Sequence, residues 1–219
     1  MKTILVTGAS KGIGLELCAQ WKKRGDTVIA TCRKRTEALA ALGVEILDDV
    51  EISDEASIST LGKKLAGRKL DVLVNNAGIL ASDSLERLVS DDVRKQFEVN
   101  AIGPLLVTKA LLANLAKGSK VAIITSRMGS IGDNGSGGMY GYRMSKAAVN
   151  MAAVSLAKDL SPRGIAIAIL HPGMVATSMT GGQGISVAES ASGLITRIEE
   201  LTLETSGTFQ HQNGEHLPW

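Results

Sequence analysis

A short apolar run, Thr3-Ile4-Leu5-Val6, passes directly into Thr7-Gly8-Ala9-Ser10-Lys11-Gly12-Ile13-Gly14, and a helical pattern of Ile13, Leu15, Leu17 and Trp21 begins at once. The run reads as a buried strand. Strand, glycine turn and helix in immediate succession form the opening unit of a dinucleotide-binding sheet. Glycines permit the tight turn and the close approach of backbone to a pyrophosphate, while the free N–H groups at the helix start face the anion. The spacing here is Gly-x3-Gly-x-Gly, not the commoner Gly-x-Gly-x2-Gly. The flanking strand and helix favour phosphate binding over a plain glycine turn.

The same alternation continues along the chain. Further strands are expected at Thr27–Thr31, Val44–Leu47, Asp71–Val74, Lys120–Thr125 and Ile165–Leu170, with a short one around Phe209. Helices are expected over 36–42, 54–66 (capped by Ser53 or Asp54), around Val93 and Phe97, over 101–116, from Tyr142 to Leu160, and over 187–203. Several of the strands are apolar throughout, the mark of parallel strands covered on both faces. With right-handed crossovers this predicts an α/β fold: a Rossmann-type, doubly wound, mainly parallel seven-stranded sheet with helices on both faces. One domain, 1–219, is expected. A ligand then belongs at the carboxyl ends of the strands, where their order reverses. The loops after Val6, Thr31, Leu47, Val74, Thr125 and Leu170 open on that edge.

Composition removes other classes. The 219 residues are 44% hydrophobic, enough for one full core and too few for a separate substrate domain. Net charge is +2 and aromatics are 3%, with no basic stripe, which argues against nucleic-acid binding. No apolar run approaches the ~20 residues of a membrane span. The first strand starts at residue 3, leaving no room for a leader, so a cytoplasmic protein is expected. Cys18 and Cys32 make neither a disulfide framework nor a zinc site, and no metal is expected.

Tyr142 and Lys146 stand four apart in Tyr-Arg-Met-Ser-Lys, hence on one helix face. A free phenol titrates near pH ~10. A neighbouring ammonium favours the phenolate and draws that value toward neutrality, where general acid/base chemistry is most efficient. Tyr140 fails the same test, because Met144 occupies the corresponding position.

Thr7–Gly14, Asp49-Val50, Asn75-Asn76-Ala77-Gly78, Asn100, Ser126, Tyr142 with Lys146, and Pro172-Gly173 with Thr177, in this order, resemble the short-chain dehydrogenase/reductase family over essentially the whole chain. The ending from Gly207-Thr208-Phe209 to Leu217-Pro218-Trp219 is similar to the branch with C-factor-like and sniffer-like carbonyl reductases. The resemblance implies an oxidoreductase exchanging hydride between a nicotinamide and a small carbonyl or alcohol. Tyr142 would be proton donor and acceptor, and Lys146 would lower its pKa and bind ribose. Ser126 (in Ser-x-x-Gly with Gly129; Ser130 and Ser136 are rivals) would polarise the substrate oxygen, and Asn100 would distort its helix and hold a relay water. Gly8, Ser10, Lys11, Gly12, Ile13 and Gly14 would line the pyrophosphate. Asp49 and Val50 would meet adenine, with Asp48 adjoining as a second candidate. Asn76, Ala77 and Gly78 would pass beneath the cofactor, and Pro172, Gly173, Val175 and Thr177 would border the nicotinamide. His171 is read as structural.

NAD-preferring relatives carry an acidic residue at the end of the second strand. Cys32 stands there, followed by Arg33, with Lys11 in the glycine loop, so NADPH is expected over NADH. The region between Pro172-Gly173 and the next helix is short and glycine-rich, which suggests an open site. Family members commonly pair through two long helices, and Ala110, Leu111, Leu112, Ala147, Ala148, Met151, Ala152 and Leu156 suggest a homodimer or homotetramer. The alternative is a dinucleotide-binding regulatory or signalling protein with incidental turnover. Relatives of that kind often lack the Tyr or the Lys, and both are present here.

Overall fold

Six segments containing Val, Ile, Leu or Ala, and the short Phe-Gln-His run near the end of the chain, become strands: β1 Thr3–Val6, β2 Thr27–Thr31, β3 Glu45–Leu47, β4 Leu70–Asn75, β5 Leu115–Ile124, β6 Ala166–His171 and β7 Phe209–His211. They pair in the order β3-β2-β1-β4-β5-β6-β7, every pair parallel. The structure is a computed structural model that describes residues 1–219. Between the strands run α1 Gly12–Lys23, α2 Glu37–Ala41, α3 Glu55–Lys64, α4 Ser90–Phe97, α5 Gly103–Ala110, α6 Tyr140–Leu160 and α7 Val187–Glu200. None of the helices is long and apolar enough to cross a membrane.

Because successive strand residues point to opposite faces, the sheet feeds two cores. Leu5, Ile29, Leu73, Val121, Ile123, Ile167 and Ile169 face one side, covered by Ile58 and Leu61 of α3, Val107 of α5, and Val149, Ala153 and Leu160 of α6. Ile4, Val6, Val28, Val72, Val74, Ala122 and Leu170 face the other, covered by Leu17, Cys18 and Trp21 of α1, Leu39 of α2, and Leu194, Ile195 and Ile198 of α7. The expected doubly wound α/β sheet is therefore observed. Strand order reverses between β1 and β4, which places the loops at 7–14 and 75–80 side by side.

Most boundaries agree with the sequence reading to within a few residues, and Asp54 is the cap of α3. One region differs. The expected helix 101–116 is a π turn, Glu98–Ile102, then α5, which stops at Ala110; β5 begins at Leu115 and not at Lys120. Asn114 is the reason for the early stop. Its Nδ2 donates to Leu65 O (2.6 Å) and Arg68 O (2.7 Å), so the chain turns there to close the approach to β4. Leu111, expected on an interface, is wholly buried in the core.

Candidate active site

The glycine loop is built by close packing beneath and an open helix end above. A Cβ on Gly8 would lie 2.7 Å from Ala77 Cα, and one on Gly14 would lie 2.5 Å from both Asn76 Nδ2 and Gly8 O. Gly8 and Gly12 have φ of +66° and +56°, the left-handed region that glycine enters without strain. A Cβ on Gly12 would meet only Thr177 across the cleft. Helix α1 has no side-chain cap and no acidic residue in its first turn. Its leading N–H groups thus suit an anion, and the loop fits a pyrophosphate.

Asn75 and Asn76 hold this edge together. Asn76 Nδ2 donates to Thr7 O (2.9 Å) and Gly8 O (3.2 Å), while Thr7 Oγ1 accepts from the Asn76 and Ala77 N–H groups. Asn75 Nδ2 donates to Thr108 Oγ1 (3.1 Å).

Helix α6 carries the titratable pair. Tyr142 and Lys146 are both buried, with Lys146 Nζ 5.7 Å from the Tyr142 ring centroid and donating to Ile124 O at 3.0 Å. Ser126, two residues beyond β5, stands by the phenol, and its Oγ accepts from Met128 N at 3.2 Å. Gly129 brings that turn onto α6, since a Cβ there would lie 2.7 Å from the Lys146 carbonyl carbon. The Ser-x-x-Gly spacing is thus a packing requirement. Asn100 sits in the π turn. Its Oδ1 accepts from Ile79 N (2.8 Å), and its Nδ2 donates to Ile79 O (2.9 Å) and Ser145 Oγ (3.0 Å). Gly78 faces Asn100 Oδ1 and Lys146 Nζ together.

The electrostatics differ from expectation. Burial pushes the Tyr142 phenol up to about 12, and the neighbouring Ser126 hydroxyl only partly offsets this. Burial pulls the Lys146 ammonium down to about 8. The ammonium commits a hydrogen bond to Ile124 O and stands off the ring, so desolvation outweighs its pull on the phenol. His171 is held neutral, brought down to about 3 by burial, then by His211, Arg127 and Lys146. Its ring lies edge-on to His211 at 5.1 Å, in keeping with a structural role.

A cleft of about 790 Å³ joins these parts. Of the sequence-predicted residues it brings together Gly8, Ser10, Lys11, Gly12, Ile13, Gly14, Arg33, Val50, Asn76, Ala77, Gly78, Tyr142, Lys146, Pro172 and Thr177. Ser126 and Asn100 are outside its lining: Ser126 stands by Tyr142, and Asn100 reaches α6 through Ser145 Oγ, which donates to Tyr142 O. Gly173 and the buried Val175 shape the following loop, which is closed by Ala176 N donating to Ile185 O at 2.9 Å. Asp49 does not line the cleft; it is exposed in a left-handed conformation, φ +56°, with its carbonyl accepting from Ser57 Oγ. Asp48 pairs with Arg35. Arg33 lies 3.6 Å from Glu51, and Lys11 donates across the cleft to Ser178 Oγ at 3.3 Å.

Glu51, Ile52, Ser53, Ile79, Leu80, Lys95, Ser178 and Met179 also line the cleft and were not anticipated. Except for Lys95, each follows an anticipated residue by a few positions, the signal that would have found it. Lys95 arrives from α4, and no local pattern marks it.

The family described as short chain dehydrogenase matches residues 2–186. Over its full length the chain is 43% identical to the whole of 1-hydroxy-2-glutathionyl-2-methyl-3-butene dehydrogenase of a Rhodococcus species. It is 44% identical to 93% of C-signal of Myxococcus xanthus, over 68% of this chain. The NADPH-bound carbonyl reductase from chicken fatty liver superposes with a TM-score of 0.90 at 30% identity, covering 100% of this chain and 99% of that one. The fold, the glycine loop and these likenesses agree: the chain belongs to the short-chain dehydrogenase family and is an oxidoreductase.

Proposed function

We propose that this chain is a single-domain (1–219) carbonyl reductase of the NADP(H)-dependent kind, able to run in reverse as an alcohol dehydrogenase. The observation that carries the reading is the meeting of Ser126, Tyr142 and Lys146 beside a cleft whose other wall is an uncapped helix start behind a glycine loop. When bound, the nicotinamide supplies or accepts the hydride. Gly8, Ser10, Lys11, Gly12, Ile13 and Gly14 hold the pyrophosphate; Val50 meets the adenine, with Asp49, or Asp48 beside it, reaching the adenine from outside the cleft; Asn76, Ala77 and Gly78 form the floor. Pro172, Gly173, Val175 and Thr177 shape the nicotinamide side. NADPH is preferred, because Cys32 offers no carboxylate to repel a 2′-phosphate and Arg33 can donate to one.

Tyr142 keeps its proton across the neutral range and gives it to the oxygen of the carbonyl being reduced, while Ser126 donates a hydrogen bond to that oxygen. The Lys146 ammonium binds ribose and favours the phenolate left behind. Asn100, whose carboxamide is committed to Ile79 and Ser145, supports a water relay through the backbone of its π turn. The complete set favours turnover over a purely regulatory role. Two buried thiols, Cys18 and Cys32, suit a reducing cytoplasm. Exposed Ile102, Leu105, Met144 and Met151 on α5, α6 and the turn before α5 support a homodimer or homotetramer.

Following NADPH absorbance with diketones, quinones, aldehydes and a glutathione-conjugated alcohol, the last chosen for its likeness to the substrate in the Rhodococcus relative's name, tests the reading. Tyr142→Phe should lower kcat by roughly 10²–10⁴-fold with little change in NADPH affinity. A variant that kept a large share of its activity would overturn the assignment.

A further inference from the structure

Helix α6 begins without local support. Gly137, Gly138 and Met139 are three successive left-handed residues, with φ of +61°, +63° and +54°, and Met139 in the N-cap position offers no side-chain cap. The first N–H groups of the helix that carries Tyr142 are instead satisfied from 57 residues away. Asp83 Oδ1 accepts from Tyr140 N at 2.6 Å, its Oδ2 from Gly141 N at 3.0 Å, and its backbone carbonyl from Met139 N at 3.2 Å.

Asp83 is itself held by the cofactor side of the cleft. It ends a segment that leaves Asn75-Asn76-Ala77-Gly78 and is clamped twice on the way. Asn100 holds both backbone groups of Ile79, and Gln96 Oε1 accepts from Ala81 N at 3.0 Å. Gln96 is fully buried, and its Nε2 would lie 2.5 Å from a Cβ on Gly141, so the residue that clamps the segment also abuts the start of α6. A helix needing stability alone is served by a cap from its own flank. Here the cap joins the floor beneath the cleft to the turn that ends at Tyr142.

We infer that Asp83 is a positioning residue for the reaction proposed above: its carboxylate fixes the first turn of α6, and with it the Tyr142 oxygen, relative to the segment 75–83. The proposal rests on that functional reading for its kinetic consequence and stands apart from it for its structural one. The sensitivity is large because a displacement of about 1 Å at a reacting group costs on the order of a hundredfold in rate.

The test compares wild type, Asp83→Ala, Asp83→Asn and Tyr142→Phe, by steady-state kinetics, NADPH fluorescence titration and amide hydrogen exchange. Asp83→Ala should lower kcat roughly ten- to hundredfold, with KM and NADPH affinity changed by no more than about twofold. Asp83→Asn, which keeps the shape and one acceptor, should recover part of the loss. Exchange over 139–146 should quicken in both variants while that in α1 stays unchanged, and this readout needs no turnover. If Asp83→Ala fails to fold, the same split in Asp83→Asn decides. Unchanged exchange over 139–146, an unchanged kcat, or a parallel fall of kcat, NADPH affinity and melting temperature would overturn the inference. Full activity in Tyr142→Phe would overturn the functional reading and leave the exchange result standing.

Discussion

At the end of β2 the chain presents Cys32 and Arg33 and no carboxylate, and the guanidinium lies mostly in solvent, 3.6 Å from Glu51. A 2′-phosphate would draw Arg33 from that carboxylate. A charge-assisted hydrogen bond is worth roughly 1.5–3 kcal/mol, and competition from Glu51 and solvent places the expected effect at the lower end. Arg33→Ala should weaken NADPH by about tenfold and leave NADH nearly unchanged, read by fluorescence titration of both cofactors. Equal kcat/KM for the two cofactors in the unmodified enzyme would end the NADPH assignment. The buried pair on α6 gives a second expectation. Tyr142, at about 12, stays protonated throughout the usable range, whereas Lys146, lowered to about 8, loses its charge as pH rises through that value. Carbonyl reduction should therefore hold steady from neutral pH and decline above about 8. A kcat/KM that climbs with pH in that direction of reaction would contradict the ammonium's role.

At the scale of the element, a tight joint lies where α1 leaves the glycine loop. An alanine at Gly14 would force its methyl against Asn76 Nδ2 and Gly8 O, both 2.5 Å away, and both are tied into the loop. Gly14→Ala should cost about 1–3 kcal/mol of stability, seen as a lower denaturant midpoint together with weaker NADPH binding. The sequence made this joint legible because strand, turn and helix are local patterns. The two-faced sheet was legible for the same reason, in uninterrupted apolar runs such as Val72-Leu73-Val74. The end of α5 was not. Ala110, Leu111, Leu112 and Ala113 favour a helix, and what stops it is Asn114 bonding carbonyls of residues 65 and 68, a contact made only once the chain has folded back. The same holds for Asp83, whose partners lie 57 residues on. The phenol's direction of titration was missed because a four-residue spacing shows proximity and says nothing of burial.

For the whole molecule, of the apolar positions expected to form an interface, Leu111 belongs to the core, Ala110, Leu112, Ala147, Ala148, Ala152 and Leu156 are half-buried, and only Met151 is largely uncovered, at 69%. Ile102, Leu105 and Met144, outside that set, are exposed near it. Light scattering at micromolar concentration should give a dimer or tetramer mass, and Leu105→Glu combined with Met151→Glu should reduce it to that of one chain. A monomer mass for the unmodified protein would dismiss the assembly. The strand order also governs the time course of folding. Ile4 pairs on one side with Val28 and on the other with Val72, so β1 lies inside the sheet although β4 leaves the ribosome much later. During synthesis the Ile4-Leu5-Val6 run must wait with one edge unsatisfied. Sheets joined across such separations are slow to nucleate and prone to aggregate while they wait, and the interval between emergence of β1 and of β4 is the longest such wait between paired strands of this chain.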